Sequence, residues 1–173
     1  MNQQITIQLA KQYLEDEDSV NLSEMTSITD EAAEVLSKHQ GELDLFGLTE
    51  LSDAAAESLS KYQGDSLMLG GLTYLSDASA ESLSSFKGYL MLGSLSQLSD
   101  ASAELLSKHE GQIDLEGLQK ISDTAAESLS RHKGDIYFDV DMLEISTRAS
   151  EFIMPYLSTD KREFLLAKLS SNQ

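Results

Sequence analysis

The block Leu-Ser-Asp-Ala-x-Ala-Glu-x-Leu-Ser recurs along the chain with small variations. Asp30, Asp53, Asp77, Asp100 and Asp123 hold the same place in successive copies, at steps of 23, 24, 23 and 23 residues. Between copies runs a second element, a glycine followed by alternating apolar residues, as in Gly41-Glu42-Leu43-Asp44-Leu45 and Gly111-Gln112-Ile113-Asp114-Leu115. A fixed period of this length predicts a solenoid, in which each unit buries its face only against its neighbours.

The stretch from Gly64 to Gly88 serves as a sample unit. Leu67-Met68-Leu69 has the period-2 alternation of a half-buried strand. Gly70 and Gly71 let the chain turn, Leu72 and Leu75 return to the core, and Ser76-Asp77 supplies oxygens for a helix N-cap. Ala80 and Leu83 then fall at helical spacing between Asp77 and Phe86, and Gly88 stands where a helix end adopts a left-handed conformation. Each unit reads as strand, turn, short helix, glycine stop. Successive strands must run parallel, because the same helix returns the chain every time. Leu43, Leu67, Leu90, Ile113 and Ile136 are expected to stack as one buried column in a six-stranded sheet.

The outer helix face is patterned as well. Glu34 and Lys38, Glu57 and Lys61, Glu104 and Lys108, and Glu127 and Arg131 are i,i+4 pairs in the favourable order, each contributing about 0.2–0.5 kcal/mol. His39, Tyr62, Phe86, His109 and His132 share one repeat position just before the glycine. Because Tyr and Phe fill the same slot as His, the position calls for a flat ring packed at the helix end, not for ligation or catalysis.

Laid out this way, the pattern Leu-x-Leu-x-x-Leu-x-x-Leu-Ser-Asp-x-Ala-x-x-Leu-Ser resembles the leucine-rich repeats. The nearest subtype is the cysteine-containing one, with Leu-x-Leu-x-x-Cys-x-x-Ile-Thr-Asp-x-x-Leu-x-x-Leu. Ile28-Thr29-Asp30 reproduces the Ile-Thr-Asp element, Ile121-Ser122-Asp123 nearly does, and the resemblance covers about residues 20 to 140. Where that family carries Cys or Asn, this chain has Met25, Leu48, Leu72, Leu95 and Leu118. The family's side-chain hydrogen-bond ladder along that turn is therefore missing, and apolar packing has to replace it. The resemblance implies an α/β fold: a short curved solenoid with the parallel sheet on its concave side and short helices on the convex side. It also implies a use in protein binding, and no catalytic residue.

The ends read as caps on a single domain. Residues 1–24 form an N-terminal cap, with an amphipathic helix from Asn2 to Glu15 through Ile5, Leu9, Tyr13 and Leu14, and a first strand at Val20-Asn21-Leu22. The acidic run Glu15-Asp16-Glu17-Asp18 takes the place of the glycine stop. Residues 25–140 hold the repeats, and Ile136 to Val140 is the last strand. Residues 141–173 form a helical cap, with a divergent helix from about Ser146, an interruption near Pro155, and a final helix capped by Ser158-Thr159-Asp160 through Phe164, Leu165 and Leu169. Terminal units that cover an exposed core are what a solenoid requires, so the expectation is a whole protein.

Composition limits the function classes. The 173 residues carry 30 acids against 12 bases, a net charge of -18. That disfavours nucleic acid and anionic membrane surfaces as partners, since phosphate binding needs clustered Lys and Arg. It allows a basic protein partner, whose association would be electrostatically steered, and it equally serves to keep a repeat protein soluble and monomeric. There is no cysteine, so neither disulfides nor thiolate chemistry arises. The start, Met1-Asn2-Gln3-Gln4-Ile5-Thr6, lacks the basic and apolar regions of a secretory signal, and no run approaches the roughly 20 apolar residues of a membrane span. The expected location is cytoplasmic.

In a parallel strand, the residues between two core positions face outward. The middle column down the sheet then reads Asn21, Asp44, Met68, Met91, Asp114 and Tyr137. The column before it reads Ser19, Glu42, Ser66, Tyr89, Gln112 and Asp135, and the column after it Ser23, Phe46, Gly70, Gly93, Glu116 and Asp139. Phe46, Met68, Tyr89 and Met91 make an apolar centre, with acids on both sides. An apolar spot with a charged rim is the composition expected where a protein partner docks, and methionines suit an adaptable surface.

The expected partner-binding set is Phe46, Met68, Tyr89, Met91, Asp44, Asp114, Glu116 and Tyr137 on a non-enzymatic interaction module. No catalytic, cofactor-binding or metal-ligating residue is expected: the face offers no His, Cys or Lys to serve as nucleophile or base. Two alternatives stand beside that reading. One is a metal-dependent or enzymatic protein using Asp114, Glu116 and Asp139 on the acidic strand face. The other is an architectural homo-oligomer.

Overall fold

The structure, a computed structural model, describes residues 3–171. It is α/β, with short parallel strands alternating with short helices. The strands are β1 (Gln4–Ile5), β2 (Ser27–Ile28), β3 (Leu43–Asp44), β4 (Ser66–Met68), β5 (Tyr89–Met91), β6 (Ile113–Asp114) and β7 (Ile136–Tyr137). The helices are α1 (Ile7–Glu15), α2 (Asp30–Leu36), α3 (Asp53–Leu59), α4 (Asp77–Leu83), α5 (Asp100–Leu106), α6 (Asp123–Leu129), α7 (Thr147–Ile153) and α8 (Thr159–Ser171). Strands β3 to β7 form one parallel sheet in chain order, and α1 to α7 pack side by side in the same order.

The register is the one the repeat demands. Leu43, Leu67, Leu90, Ile113 and Ile136 are direct partners across the sheet and are essentially inaccessible to solvent. Beneath them, Leu45, Leu69, Leu92, Leu115 and Phe138 make a second buried row. Ala56, Ala80, Ala103 and Ala126 from the helices complete a core that runs unbroken from Ile5 to Leu165. The apolar residues at the Cys/Asn position fill that core: Leu48, Leu72, Leu95 and Leu118 are buried, and Met25 is packed against it.

A different side-chain ladder runs along the helix N-termini. The N-cap hydroxyl of each helix accepts the N–H three residues on, as Ser99 Oγ does from Ser102 at 2.9 Å. The same hydroxyl donates to the aspartate opening the preceding helix: Ser52 to Asp30, Ser76 to Asp53, Ser99 to Asp77, Ser122 to Asp100 and Ser146 to Asp123. Ser79 and Ser102, both buried, add a second donor to Asp53 and Asp77 at 2.8 and 2.6 Å. These bonds hold the carboxyls of Asp53 and Asp77 below the usual range. The Ser-Asp dipeptide therefore does two jobs, capping its own helix and tying it to the next.

Three expectations are corrected. First, the sheet has five strands, because Val20-Asn21-Leu22 does not pair. Asp16 and Asn21 accept the N–H groups of Asp18 and Ser23, which draws the segment into 3-10 turns at Glu17–Ser19 and Leu22–Glu24 and competes with a ladder. Second, the N-terminal helix begins at Ile7, with Thr6 as its cap, while Ile5 belongs to β1 and pairs with Ile28 of β2. Ile5-Thr6 thus repeats Ile28-Thr29 one period earlier. Leu14 is exposed, and Ala10 and Tyr13 are the buried residues of α1; Asn2 lies outside the described residues. Third, no glycine among the described residues has a positive φ. The helices end on Ser37, Ser60, Ser84, Ser107 and Ser130 in right-handed conformation. The glycines answer to close approach instead: a Cβ on Gly88, Gly111 or Gly134 would overlap the backbone carbonyl of Asp65, Gly88 or Gly111 in the preceding coil.

The ring column lies over this glycine row. Tyr62, Phe86, His109 and His132 stack at centroid spacings of 6.1, 6.3 and 6.1 Å. The Tyr62 hydroxyl donates to the Gly41 carbonyl, and Nε2 of His109 and His132 lies 2.9 Å from the carbonyls of Gly88 and Gly111. A carbonyl only accepts, so these bonds place the proton on Nε2. Burial lowers both imidazole pKa values below 6.5, and the two stacked rings repel when charged in the case of His109. At the far end the Tyr156 hydroxyl donates to the carbonyls of His132 and Leu129. The C-terminal cap follows the expected plan: Ser146 caps α7, a 3-10 turn at Met154–Tyr156 carries Pro155, and α8 follows.

Two measurements test this architecture. Leu90→Asp places a charge in the inaccessible column and removes its packing, so denaturant unfolding should show a loss of roughly 3–5 kcal/mol; near-wild-type stability would refute the register. The depressed His109 and His132 pKa values mean that the unfolded chain binds more protons, so stability is full above the unfolded value and falls as pH drops through the folded ones. Melting temperature should decline as pH falls below about 6.5, and His109→Phe/His132→Phe, which repeats Phe86, should flatten that decline.

Candidate functional site

The outward face of the five-stranded sheet collects most of the side chains that the strand pattern singles out. Asp44, Met68, Met91, Asp114 and Tyr137 are successive register partners, so they form one row across the sheet. Ser66 and Tyr89 are partners in the row before it. Met68, Tyr89, Met91 and Asp114 are half-buried; Asp44, Phe46, Glu116 and Tyr137 are exposed, Phe46 to 51% and Tyr137 to 40%. Asn21, expected in the middle row, is not in the sheet for the reason given above.

The face divides into two ends joined by the methionines. At one end the Asp44 carboxylate accepts the Phe46 N–H at 2.9 Å, and the Phe46 ring lies over Gly70, where a Cβ would collide with it. At the other end Tyr89 and Tyr137 meet edge to face, 6.3 Å apart and 80° between planes. The Tyr89 hydroxyl reaches Asp114 Oδ2 at 3.4 Å, and Asp114 Oδ1 accepts the Glu116 N–H at 2.9 Å. Burial, then the Asp114 charge, pushes the Tyr89 phenol up to about 12. The carboxylate of Asp114 leans over Gly93, whose Cβ would stand 3.1 Å from Oδ2. Tyr89 thus belongs to the acidic end as well as to the apolar strip.

Several participants escape sequence reasoning. Lys161 of α8 arrives beside the acidic end, 3.6 Å from Glu116 Oε1, and donates to the Phe138 carbonyl at 2.6 Å. No local signal marks a lysine about two periods away in the cap as a neighbour of Glu116. Lys168 donates to the carbonyls of Val140, Asp141 and Leu143, so α8 covers backbone beyond the last strand. Away from this face, Tyr74 and Met142 are 75% and 65% exposed.

Asp114, Glu116 and Asp139 do not converge. Asp139 accepts the Asp141 N–H at 3.0 Å, Glu116 faces Lys161, and among the described residues no three His, Asp or Glu side chains gather where they could hold a metal ion. On the helix face, Lys38 and Lys61 pair with Glu34 and Glu57 as expected, while Glu127 meets Arg148 at 3.7 Å and Arg131 turns to Ser128. Among the described residues no helix is long and apolar enough to cross a membrane. Compared with protein-family models, curated proteins and solved structures, the chain matches none.

The two adjacent glycines separate a movable contact from a fixed one. Gly70→Ala meets only the flexible Phe46 ring and should cost less than about 1 kcal/mol while displacing that ring, visible in its NMR shifts. Gly71→Ala meets the Phe46 and Leu48 carbonyls and should cost roughly 1–3 kcal/mol in a denaturant melt.

Proposed function

We propose that this chain is a non-enzymatic protein-interaction module of leucine-rich-repeat type, which binds a partner protein on the outward face of its parallel sheet. The observation that carries the reading is the row Asp44, Met68, Met91, Asp114, Tyr137: two half-buried methionines at the centre, with carboxylates on either side. An adaptable apolar centre within a charged rim is the anatomy of a docking surface. The Leu-x-Leu-x-x-Leu pattern, the parallel strands and the side-by-side helices support a curved solenoid with this face on its concave side. A net charge of -18 supports a basic partner, and the lack of cysteine supports a cytoplasmic setting.

The matching surface on the partner would carry an apolar anchor ringed by Lys or Arg. Loss of the anchor contact acts on dissociation, while the rim acts on the rate of encounter and its salt dependence.

With a partner captured from native extract, Met68→Lys or Met91→Lys should weaken binding at least about tenfold by calorimetry or surface resonance. Asp44→Asn should chiefly slow association and flatten its salt dependence. Unchanged affinity in both methionine variants would rule out this face. A large calcium-dependent rise in melting temperature would favour a metal-dependent protein instead.

A further inference from the structure

The acidic end of the sheet face has a shape and chemistry of its own. Tyr89 and Tyr137 stand nearly perpendicular, 6.3 Å apart, and the Asp114 carboxylate, on the register partner of Tyr137, lies within reach of the Tyr89 hydroxyl and beside the bare backbone of Gly93. Each of its oxygens takes one hydrogen bond. Oδ1 takes the Glu116 N–H at 2.9 Å, and Oδ2 takes a long 3.4 Å bond from the Tyr89 hydroxyl. Each carboxylate oxygen accepts two bonds, so both keep acceptor capacity. Lys161, the cation that reaches this end, is occupied by Glu116 and the Phe138 carbonyl, and Asp114 forms no ion pair among the described residues. A half-buried carboxylate without a counter-ion among the described residues, on a face with two aromatic rings, is an arrangement suited to a cation from outside.

We infer that the notch formed by Asp114, Tyr89, Tyr137 and Gly93 receives one arginine side chain of the partner protein. The inference rests on the sheet-face reading above and assigns the acidic end its own role within it. A guanidinium brings a planar fork that matches a carboxylate and a flat face that stacks on a ring, whereas an ammonium is a compact, strongly hydrated point charge. The notch offers both complements at once: a carboxylate with free acceptor sites and, 40% exposed, the Tyr137 ring. At Gly93 a Cβ would stand 3.1 Å from the carboxylate, so the glycine leaves it room from the β5 side. Met91, register partner of Asp114, leads from the notch to the apolar strip, so an arginine beside an apolar anchor on one segment would engage both.

The test uses the full chain and N-acetyl-arginine amide as the probe, followed by NMR. Saturable millimolar binding is expected, with shifts centred on the Tyr89 and Tyr137 rings and the Gly93 amide. N-acetyl-citrulline amide, the neutral isostere, should bind at least about tenfold more weakly, and Asp114→Asn, which retains an oxygen for the Glu116 N–H, should lose at least about tenfold. Glu110→Gln, whose carboxylate pairs with Lys87 elsewhere at 2.6 Å, should bind as wild type. Tyr137→Leu serves as a second variant if Asp114→Asn fails to fold, and should weaken the arginine probe. Equal response to citrulline, or shifts spread over the acids of the helix face, would overturn the assignment. If Met68→Lys abolishes partner capture while the probe ignores the notch, only the arginine site falls. If the probe binds as expected while Met68→Lys and Met91→Lys leave capture unchanged, the notch binds a guanidinium, but the sheet-face reading falls and with it the assignment of that site to the partner's arginine.

Discussion

No unit of this chain has a core of its own. A strand of two or three residues and a helix of seven can bury their apolar side chains only when a neighbouring coil lies against them, and everything else depends on how closely the coils approach. The buried Leu and Ile column closes one side of that contact, the alanines of the helices close the other, and the glycine row lets the backbones come near enough for the parallel ladder. Small residues are therefore found where helix meets helix and where coil meets coil, and large ones where the interior has to be filled. Stability in such an array is shared between neighbours, so damage in the middle is felt on both sides.

Polar bonds along the array are repeated with the same period. At the helix starts the Ser-Asp pairs pass a hydrogen bond from each unit to the next, and at the helix ends a ring passes another to the carbonyl of the preceding glycine. Phe86 breaks that second series, since it can stack but cannot donate. The first ladder uses the hydroxyls that already cap the short helices, and the second uses the glycine carbonyls in the coil before each strand. Each is single-sided, so the ends need other partners: Thr6 caps α1, and Tyr156, Lys161 and Lys168 take up carbonyls beyond the last repeats.

The face left over by this construction is where variation is tolerated. Positions between the core residues of each strand do not touch the interior, so Asp, Met and Tyr occupy the same register row without disturbing the fold. That freedom allows the row to be read as a surface shaped for recognition, with an adaptable centre and an acidic, aromatic end.

The strand face, its rows and its core column were legible in the sequence because the period of the repeat and the period of a strand are both one-dimensional: knowing where Leu67 lies places Leu90 and Ile113 beside it. The Ser-Asp bonding was half legible, as a helix cap, since the cap is local and its second bond joins residues 22 or 23 apart. What only the tertiary structure decided depends on distance through space. Val20-Asn21-Leu22 has the composition of a strand, yet Asp16 and Asn21 bind nearby N–H groups and hold it out of the sheet. The glycines look like helix stops, yet their constraint comes from the coil before them. Tyr89 reads as one apolar residue among four, but its hydroxyl lies over the neighbouring strand at Asp114, and Lys161 arrives from the cap. A periodic sequence determines which residues share a row; where their side-chain tips meet is set by packing between rows, which no single repeat contains.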